Sequence, residues 1–437
     1  MPDSRSDLLA KTAFVASLVL AAFLYGFAAR GFGLFPNDVL GAGWRQFQAV
    51  QRGVWTEQRA GTAPKVYDRH GARVLDSAAV QPGLTLIPSI WEDYGWNPGL
   101  KLIDVRGRVI HEWRMDPADI FPSEFQDFLT PFMEFTHPYG SVLLPSGDVI
   151  VNFSELGTVR LDACSRVKWR VRADHHHSVS RAEDGTFYVS GRKAKRAPDP
   201  ITGMDSVRHD MLVHLSAQGE VLKKIAVFDI LRQNELLLRR HLRLQPEDTH
   251  LNDVEPLSPS MEHQYPLFDA GDLLVSLRHL NVVLVVDPET LNVKWWTGEP
   301  FIRQHDPDFV GEGWIGVFDN QVDGTDRGTR LGGNRVVAFN PASDSTTVWL
   351  KAADANVYSD IQGSWQSLQN GNLLVVESTA GRVAEISRDG QLVWEWIQKP
   401  SGERRVPRVY WAERYEYSAE QTASWGCSSG NSLDRSE

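Results

Sequence analysis

"GSWQSLQNGNLLVVESTAGRVAEISRDGQLVWEWI", residues 363–397, decides the fold. Short apolar strands alternate with Asn-Gly, Ala-Gly and Asp-Gly turns, the pattern of an antiparallel sheet of about four strands. Working backwards, the same unit recurs: a glycine turn, an apolar strand, an apolar-Asp or apolar-polar pair, a second turn, and a strand carrying Val or Trp. "PGLTLIPSI" with "LKLIDVRGRVIHEW" is the first copy, and "GSVLLPSGDVIVNF" with "VRLDACSRVKWRV" the second. The third is "HSVSRAEDGTFYVSG" with "MLVHLSAQGEVLKKI", the fourth "LFDAGDLLVSLRHLNVVLVVDPETLNVKWW", and the fifth "GWIGVFDN" with "NRVVAFNPASDSTTVWL". From turn glycine to Asp-position residue the spacing is 15 residues in the second unit (Gly147 to Asp162) and 16 in the fourth (Gly271 to Asp287) and sixth (Gly371 to Ser387). A β-sandwich is the plainer alternative, but six copies of one unit in one chain favour an all-β, six-bladed β-propeller.

Around this core the chain divides as follows. Residues 1–34 read as an N-terminal membrane anchor or signal segment, because Thr12 to Ala29 is 18 residues without a charge, about 27 Å as a helix and close to a hydrocarbon core. A cleaved signal peptide is the alternative, with Arg5 and Lys11 as a weak basic start. Residues 35–79 read as a linker or accessory segment, 80–417 as the propeller, and 418–437, polar and rich in small residues, as a disordered tail. "VFDILRQNELLLRRHLRLQPEDTH", 227–250, has Leu and Ile at helical spacing and predicts a short helix between the third and fourth blades. The tryptophans of "VKWRV", "VKWW" and "LVWEWI" share one repeat position, where packing between blades is expected.

With 56 acidic against 45 basic residues and a net charge of −11, the chain lacks the basic stripe that nucleic acid requires. Its two cysteines, Cys164 and Cys427, form neither a disulfide framework nor a metal motif.

The histidines fall in register. His305 lies 8 residues before Gly313; His177 and His176 lie 8 and 9 before Gly185; His137 lies 10 before Gly147. His250 holds the corresponding place 21 residues before Gly271, across a lengthened loop, and Gln362 holds it in the sixth unit. The first strand of each propeller blade lines the central channel, so these side chains face one funnel. Asn252 follows His250 by two and points the same way on an extended strand; Arg278 sits among apolar residues of the same blade and, if buried, needs an anion. His111, His209, His214, His241, His263 and His279 fall elsewhere in the units and read as ordinary structural or surface residues.

Imidazoles with one guanidinium and one amide suit a compact anion. There is no carboxylate pair for glycoside hydrolysis and no glycine-rich phosphate loop. A histidine kept neutral by its cationic neighbours is a nucleophile toward sulfur or phosphorus.

"QHDPDF" followed by "FDN", with "HLN", "SLR" and "HHHSVSRAEDG", resembles the PAPS-independent arylsulfate sulfotransferases of bacteria, six-bladed propellers of the cell envelope, over roughly residues 80–400. The resemblance implies that His305 becomes transiently sulfurylated, with His250 and Arg278 as further catalytic groups and His176, His177, Asn252 and His137 binding substrate. It implies ping-pong transfer from an aryl sulfate donor to a phenolic acceptor, with no cofactor and no metal. It also implies a place in the bacterial cell envelope; with residues 1–34 read as an inner-membrane anchor, itself a departure from the family's long cleaved signal, the propeller is expected in the periplasm, and a homodimer is admitted. One departure is Ser178, where the family commonly has Asp after the His pair. Two other readings compete: a multi-histidine metalloenzyme holding Fe, Zn or Cu, and a non-catalytic, membrane-anchored propeller for protein interaction.

Overall fold

The computed structural model describes residues 4–32, 61–122, 137–194, 208–236, 249–351 and 357–426. The chain forms two units, Met1–Gln58 with Arg196–Ser206, and Arg59–Lys195 with Val207–Glu437.

The second unit is the expected propeller. Blade 2 is built from Pro138–Leu143, Val149–Phe153, Gly157–Leu161 and Val167–Arg172, in spatial order. Blade 3 follows with His175–Arg181, Phe187–Ala194, Arg208–Leu215 and Val221–Ala226, and blade 4 with Leu251–Pro256, Leu273–Leu277, Val282–Val286 and Val293–Thr297. Blade 5 contains His305–Gly311, Trp314–Asp319, Arg335–Asn340 and Ser345–Lys351. In each, neighbours in sequence pair antiparallel, as the glycine turns require.

Blades 1 and 6 are composite. Blade 1 takes Leu84–Trp91, Asn97–Asp104 and Val109–Arg114 from the N-terminal side, and its inner strand, Glu413–Tyr415, from the far end of the chain. Blade 6 holds Trp365–Ser367, Leu373–Glu377, Arg382–Ile386 and Leu392–Ile397, and gains a fifth, outer strand from Gly71–Val74. Thr62–Pro64 pairs with Arg405–Pro407. The stretch 61–79, expected to be linker, therefore belongs to the propeller.

Middle strands such as Val282–Val286 are buried at every residue, because both faces pack on neighbouring blades, while outer strands such as Val167–Arg172 alternate between partly buried and exposed. The expected interblade tryptophans are there: the indole N–H of Trp113 in blade 1 donates to Gly147 O in blade 2 at 3.1 Å, Trp169 in blade 2 to Ala217 O in blade 3 at 3.0 Å, and Trp394 in blade 6 to Val105 O in blade 1 at 2.7 Å. Each indole thus packs its rings and satisfies its one donor across the blade boundary. Gly219 sits at φ 82° under Trp169, and a Cβ there would lie 2.6 Å from the indole.

Three expectations change. The helix between blades 3 and 4 is real but short, Val227–Gln233, and 237–248, with His241, lies outside the described residues. The start of the supposedly disordered tail is folded: Ser418 and Gln421 form a capping box on the helix Ala419–Ala423, and Trp425 packs edge-on to His111 and donates to Pro145 O at 3.0 Å. The N-terminal segment is a helix, Ser4–Phe32, yet among the described residues no helix is long and apolar enough to cross a membrane. Lys11 and Arg30 bracket a run shorter than the ~20 apolar residues typical of a span.

Cys164 is disulfide-bonded; the other cysteine, Cys427, lies outside the described residues.

Blade 6 holds a buried ion network. Arg382, 2% exposed, donates to Glu395 at 3.0 Å and Glu377 at 3.3 Å, and both carboxylates are fully buried. Tyr67 donates to Glu377 at 2.7 Å and Arg69 to Glu395 at 2.7 Å, which ties the N-terminal stretch to the blade. Arg382→Met removes from two buried carboxylates the one fully buried cation they share among the described residues, and is expected to cost up to about 3–5 kcal/mol in chemical denaturation. A loss under about 1 kcal/mol would show that Arg69, Arg73 and Arg327 suffice.

Candidate active site

At one end of the channel the inner strands start irregularly. Non-glycine residues with left-handed φ stand there in four blades: His177 (55°), His250 (53°), Asp306 (49°) and Gln362 (59°). The pairing register slips at His175/Val179, Leu251/Asp253 and His305/Pro307. Such bulges re-aim side chains, and strained backbone of this kind concentrates at functional sites.

A tight cavity of about 20 Å³ opens between these bulges, lined by Tyr139, His177, Asn252, His305, Asp306 and Gln362 among others. The sequence register therefore converges as expected for His177, Asn252 and His305. The His177 ring centroid lies 6.5 Å from that of His305 and 4.9 Å from that of His250.

Asn320, at the end of the strand beside His305, orients the imidazole. Its Nδ2 donates to Ser359 O at 3.0 Å and Gln362 O at 2.7 Å, so its Oδ1 must face His305, 2.6 Å from Nδ1. Nδ1 consequently carries the proton, donating also toward Arg303 O at 3.2 Å, and Nε2 keeps its lone pair. Burial, then the Arg278 charge, hold the His305 pKa well below the usual histidine range, with His250 adding to the effect. His305 is thus a neutral imidazole with a defined tautomer.

Arg278 follows the strand Leu273–Leu277, is 6% exposed, and its backbone N–H donates to His250 O at 3.1 Å, locking it to the histidine strand. Asn252 donates its Nδ2 to Gln304 O at 2.8 Å, which leaves Oδ1, buried and without a hydrogen-bond partner, as the atom it offers the cavity. As placed, it accepts an O–H and does not donate to a sulfuryl oxygen.

The histidine pair resolves into two roles. His177 lines the cavity, and His176 stands behind it with the two Nδ1 atoms 2.7 Å apart. His176 Nε2 is 3.6 Å from Asp210 Oδ1, too long for a hydrogen bond but close enough to favour a proton on that nitrogen. With the proton there, His176 Nδ1 accepts from His177 Nδ1–H and His177 presents Nε2 as a lone pair. Asp210 is fixed by Thr249 Oγ1 and by Leu251 N–H at 2.8 Å. Burial first, then neighbouring His176 and His250, keep His177 neutral.

His137 is set back from the cavity: its ring stacks on Tyr410 at 4.9 Å, Tyr410 meets Tyr139 at 5.1 Å, and Tyr139 meets His177 at 5.0 Å. Tyr139 is held by Gln362 Nε2 at 2.8 Å. The sequence reading missed His279, whose ring lies 4.5 Å from His250, as well as Asn320, Asp210 and Tyr139. Asn320 was visible only as the last letter of "FDN". Among the described residues no three His, Cys, Asp or Glu side chains are arranged to share a metal ion.

The sequence profile described as Arylsulfotransferase (ASST) matches residues 140–399, more than half of the chain, running from the first strand of blade 2 to the end of Leu392–Ile397 in blade 6. The chain belongs to the arylsulfotransferase family. No curated protein matches it. Solved structures similar to this arylsulfotransferase-family chain include a protein of unknown function from Bacteroides caccae, at 14% identity and TM-score 0.48, covering 72% of this chain and 94% of that one. The Neurospora crassa Pan2 WD40 domain matches at 12% identity and TM-score 0.40, covering 74% and 84%, and virginiamycin B lyase from Staphylococcus aureus at 12% and 0.36, covering 62% and 72%. These three likenesses are too weak to carry an argument.

The tautomer is directly testable. In nitrogen-15 spectra of histidine-labelled protein, His305 is expected to be neutral and Nδ1-protonated at pH 6.5, where an ordinary histidine is about half charged, because burial and the Arg278 charge hold its pKa well below the usual histidine range. Asn320→Leu removes the acceptor and is expected to give a mixture of tautomers; an imidazolium at His305 at pH 6.5 in the unsubstituted protein would contradict the assignment.

Proposed function

We propose that this protein transfers a sulfuryl group from an aryl sulfate ester to a phenolic acceptor, without PAPS, by two displacements through His305. The observation that carries this reading is the Asn320–His305 hydrogen bond, which leaves Nε2 as a lone pair in a cavity shared with His177 and Asn252 and within the field of the Arg278 charge. Neutral nucleophile and cationic surroundings are what attack on an anionic sulfur centre requires.

In the first step Nε2 of His305 bonds to sulfur as the sulfur–O(aryl) bond breaks. The phenolate leaves with that electron pair and is protonated by solvent water, which balances the proton that the acceptor phenol later gives up through His177 to solvent. Arg278 and His250 balance the charge on the sulfuryl oxygens. In the second step an acceptor phenol, its O–H directed to Asn252 Oδ1 or His177 Nε2, gives its proton to His177 and attacks sulfur, and the N–S bond breaks to restore neutral His305. His176 and Asp210 steady the charge that His177 gains. A general base so placed contributes about 10²–10⁴-fold.

We further place the propeller in an oxidising compartment of the bacterial envelope, since Cys164 is in a disulfide and such bonds persist outside the reducing cytosol. The N-terminal helix would then serve as its targeting or membrane-associating element. A topology reporter fused after residue 437 tests this, and activity only in the cytoplasm would reject it.

The decisive assay gives EDTA-treated protein p-nitrophenyl sulfate with and without phenol. Nitrophenol release is expected to depend on phenol, to vanish in His305→Asn, and to fall about 10²–10³-fold in kcat in Arg278→Met, as for loss of one preorganised charge-stabilising donor. A sulfuryl adduct on the His305 peptide is expected in donor without acceptor. Unchanged turnover in His305→Asn would remove His305 from the chemistry. No turnover with any aryl sulfate would favour a non-catalytic propeller.

A further inference from the structure

Beyond the histidine cavity the channel widens toward the opposite face into a second cavity of about 610 Å³. All six inner strands wall it, and the charged side chains they supply are acidic with one exception. Blade 1 contributes Glu413, blade 4 Asp253 and Glu255, and blade 5 Asp306 and Asp308. None of the five forms an ion pair among the described residues. The only cation lining the cavity among them is Arg181, an exposed residue of blade 3 beside Tyr417. The carboxylates are held by neutral donors only: Phe309 N–H to Glu255 at 2.9 Å, Trp365 N–H to Asp306 at 2.6 Å, and the Tyr415 hydroxyl to Glu413.

A second observation points to a ligand. Ser141 of blade 2, 1% exposed, lines the same cavity, and its Oγ has no hydrogen-bond partner; Asp306 Oδ1, equally buried, has none either. Buried polar atoms are ordinarily satisfied, so these are left for something that enters the cavity.

Its chemistry follows from the walls. The carboxylates are not grouped to chelate one metal ion, and the volume greatly exceeds that of such an ion. Trp365, Trp411 and Phe309 interleave with them, and aromatic faces attract ammonium groups that have shed water. Asp253 and Glu255 are two residues apart on one strand, which separates them by about 6.6 Å along the channel, the span of a short aliphatic diamine.

We propose that this acidic channel binds an aliphatic diamine or polyamine, its ammonium groups seated on Asp253, Glu255, Asp308 and Glu413 and its methylenes against the aromatic walls. The site adjoins the histidine cavity at Asp306 and Trp411, and it does not depend on the sulfotransfer reading. The occupant supplies the positive charge the fold omits. Without it the carboxyls retain protons: burial pushes Asp253 and Glu413 up to about 7, and burial together with the charges of Asp253 and Glu413 pushes Glu255 up to about 8. Of the other groups facing the cavity, Asp306 and Asp308 are also raised, by burial first and by neighbouring carboxyls next, Ser141 and Gln366 are uncharged, Tyr415 and Tyr417 have phenols held above their ordinary value, and Arg181 brings a guanidinium. Because these folded-state carboxyl pKa values are raised, their stabilising contribution is present at low pH and is lost as pH rises through 7 to 8. Diamine should therefore bind more tightly above that window.

Calorimetric titration of the full chain with 1,4-diaminobutane at constant ionic strength tests this. Expected are saturable one-to-one binding at pH 8.5, affinity about tenfold weaker at pH 6, and at least tenfold weaker binding in Asp308→Asn and Glu255→Gln. Both variants remove repulsion and should melt no lower than the unsubstituted protein. Absence of saturable binding at millimolar diamine, binding indifferent to both substitutions, or calcium binding in the diamine's place with the same dependence on them would each overturn the proposal.

Discussion

Three residues near the C-terminal end, Glu413–Tyr415, form the inner strand of a blade whose other strands begin at Leu84, and that pairing holds the ring closed. Arg414 secures it. Buried among blades 1 and 6, its guanidinium donates to Thr85 Oγ1 at 2.6 Å, to Gln81 O at 2.5 Å and to Glu385 at 3.1 Å, so one side chain joins both ends of the chain to the last blade. A propeller's inner strands converge on one axis only when the ring is complete. The histidine cavity draws Tyr139 from blade 2, His177 from blade 3, Asn252 from blade 4, His305 from blade 5 and Gln362 from blade 6, so its geometry presupposes the closure.

Much of this was legible. Strand number, blade order and the alignment of His177, Asn252 and His305 follow from glycine turns and from counting back along a repeat, because a period-two strand leaves little freedom in where its residues point. What escaped has physical reasons. The inner strand of blade 1 lies about three hundred residues from its partners, and "ERY" has no local signature as a strand; only ring closure gives it a role. His279 follows the second strand of blade 4 and not the first, so the register that found the others passed over it, although a tight turn brings it onto His250. His137 keeps the register but not the place: its ring is drawn onto Tyr410, leaving Tyr139 to face the cavity.

The carboxylates were in plain sight as "LNDVEP" and "HDPDF", beside the histidines that drew attention. Alternation explains why both sets matter. Bulges turn His177, Asn252 and His305 to one end of the axis, and once the strands resume their regular pairing the acidic residues line the channel beyond. One set of strands therefore builds a histidine end and a carboxyl end.

Asp306 stands at the boundary and lines both cavities. Were it ionised, a negative charge next to His305 would favour the imidazolium, removing the nucleophilic lone pair, and would repel an anionic ester. Burial and the field of Asp253 instead drive its carboxyl toward the neutral form, while Trp365 fixes it through two hydrogen bonds, N–H to Oδ2 at 2.6 Å and indole N–H to the backbone O at 2.8 Å. In the transfer proposed through His305, the carboxyls beyond it would thereby serve the chemistry above it: burial and the field of Asp253 favour the protonated form of the carboxyl beside His305, which leaves the histidine end open to an anion.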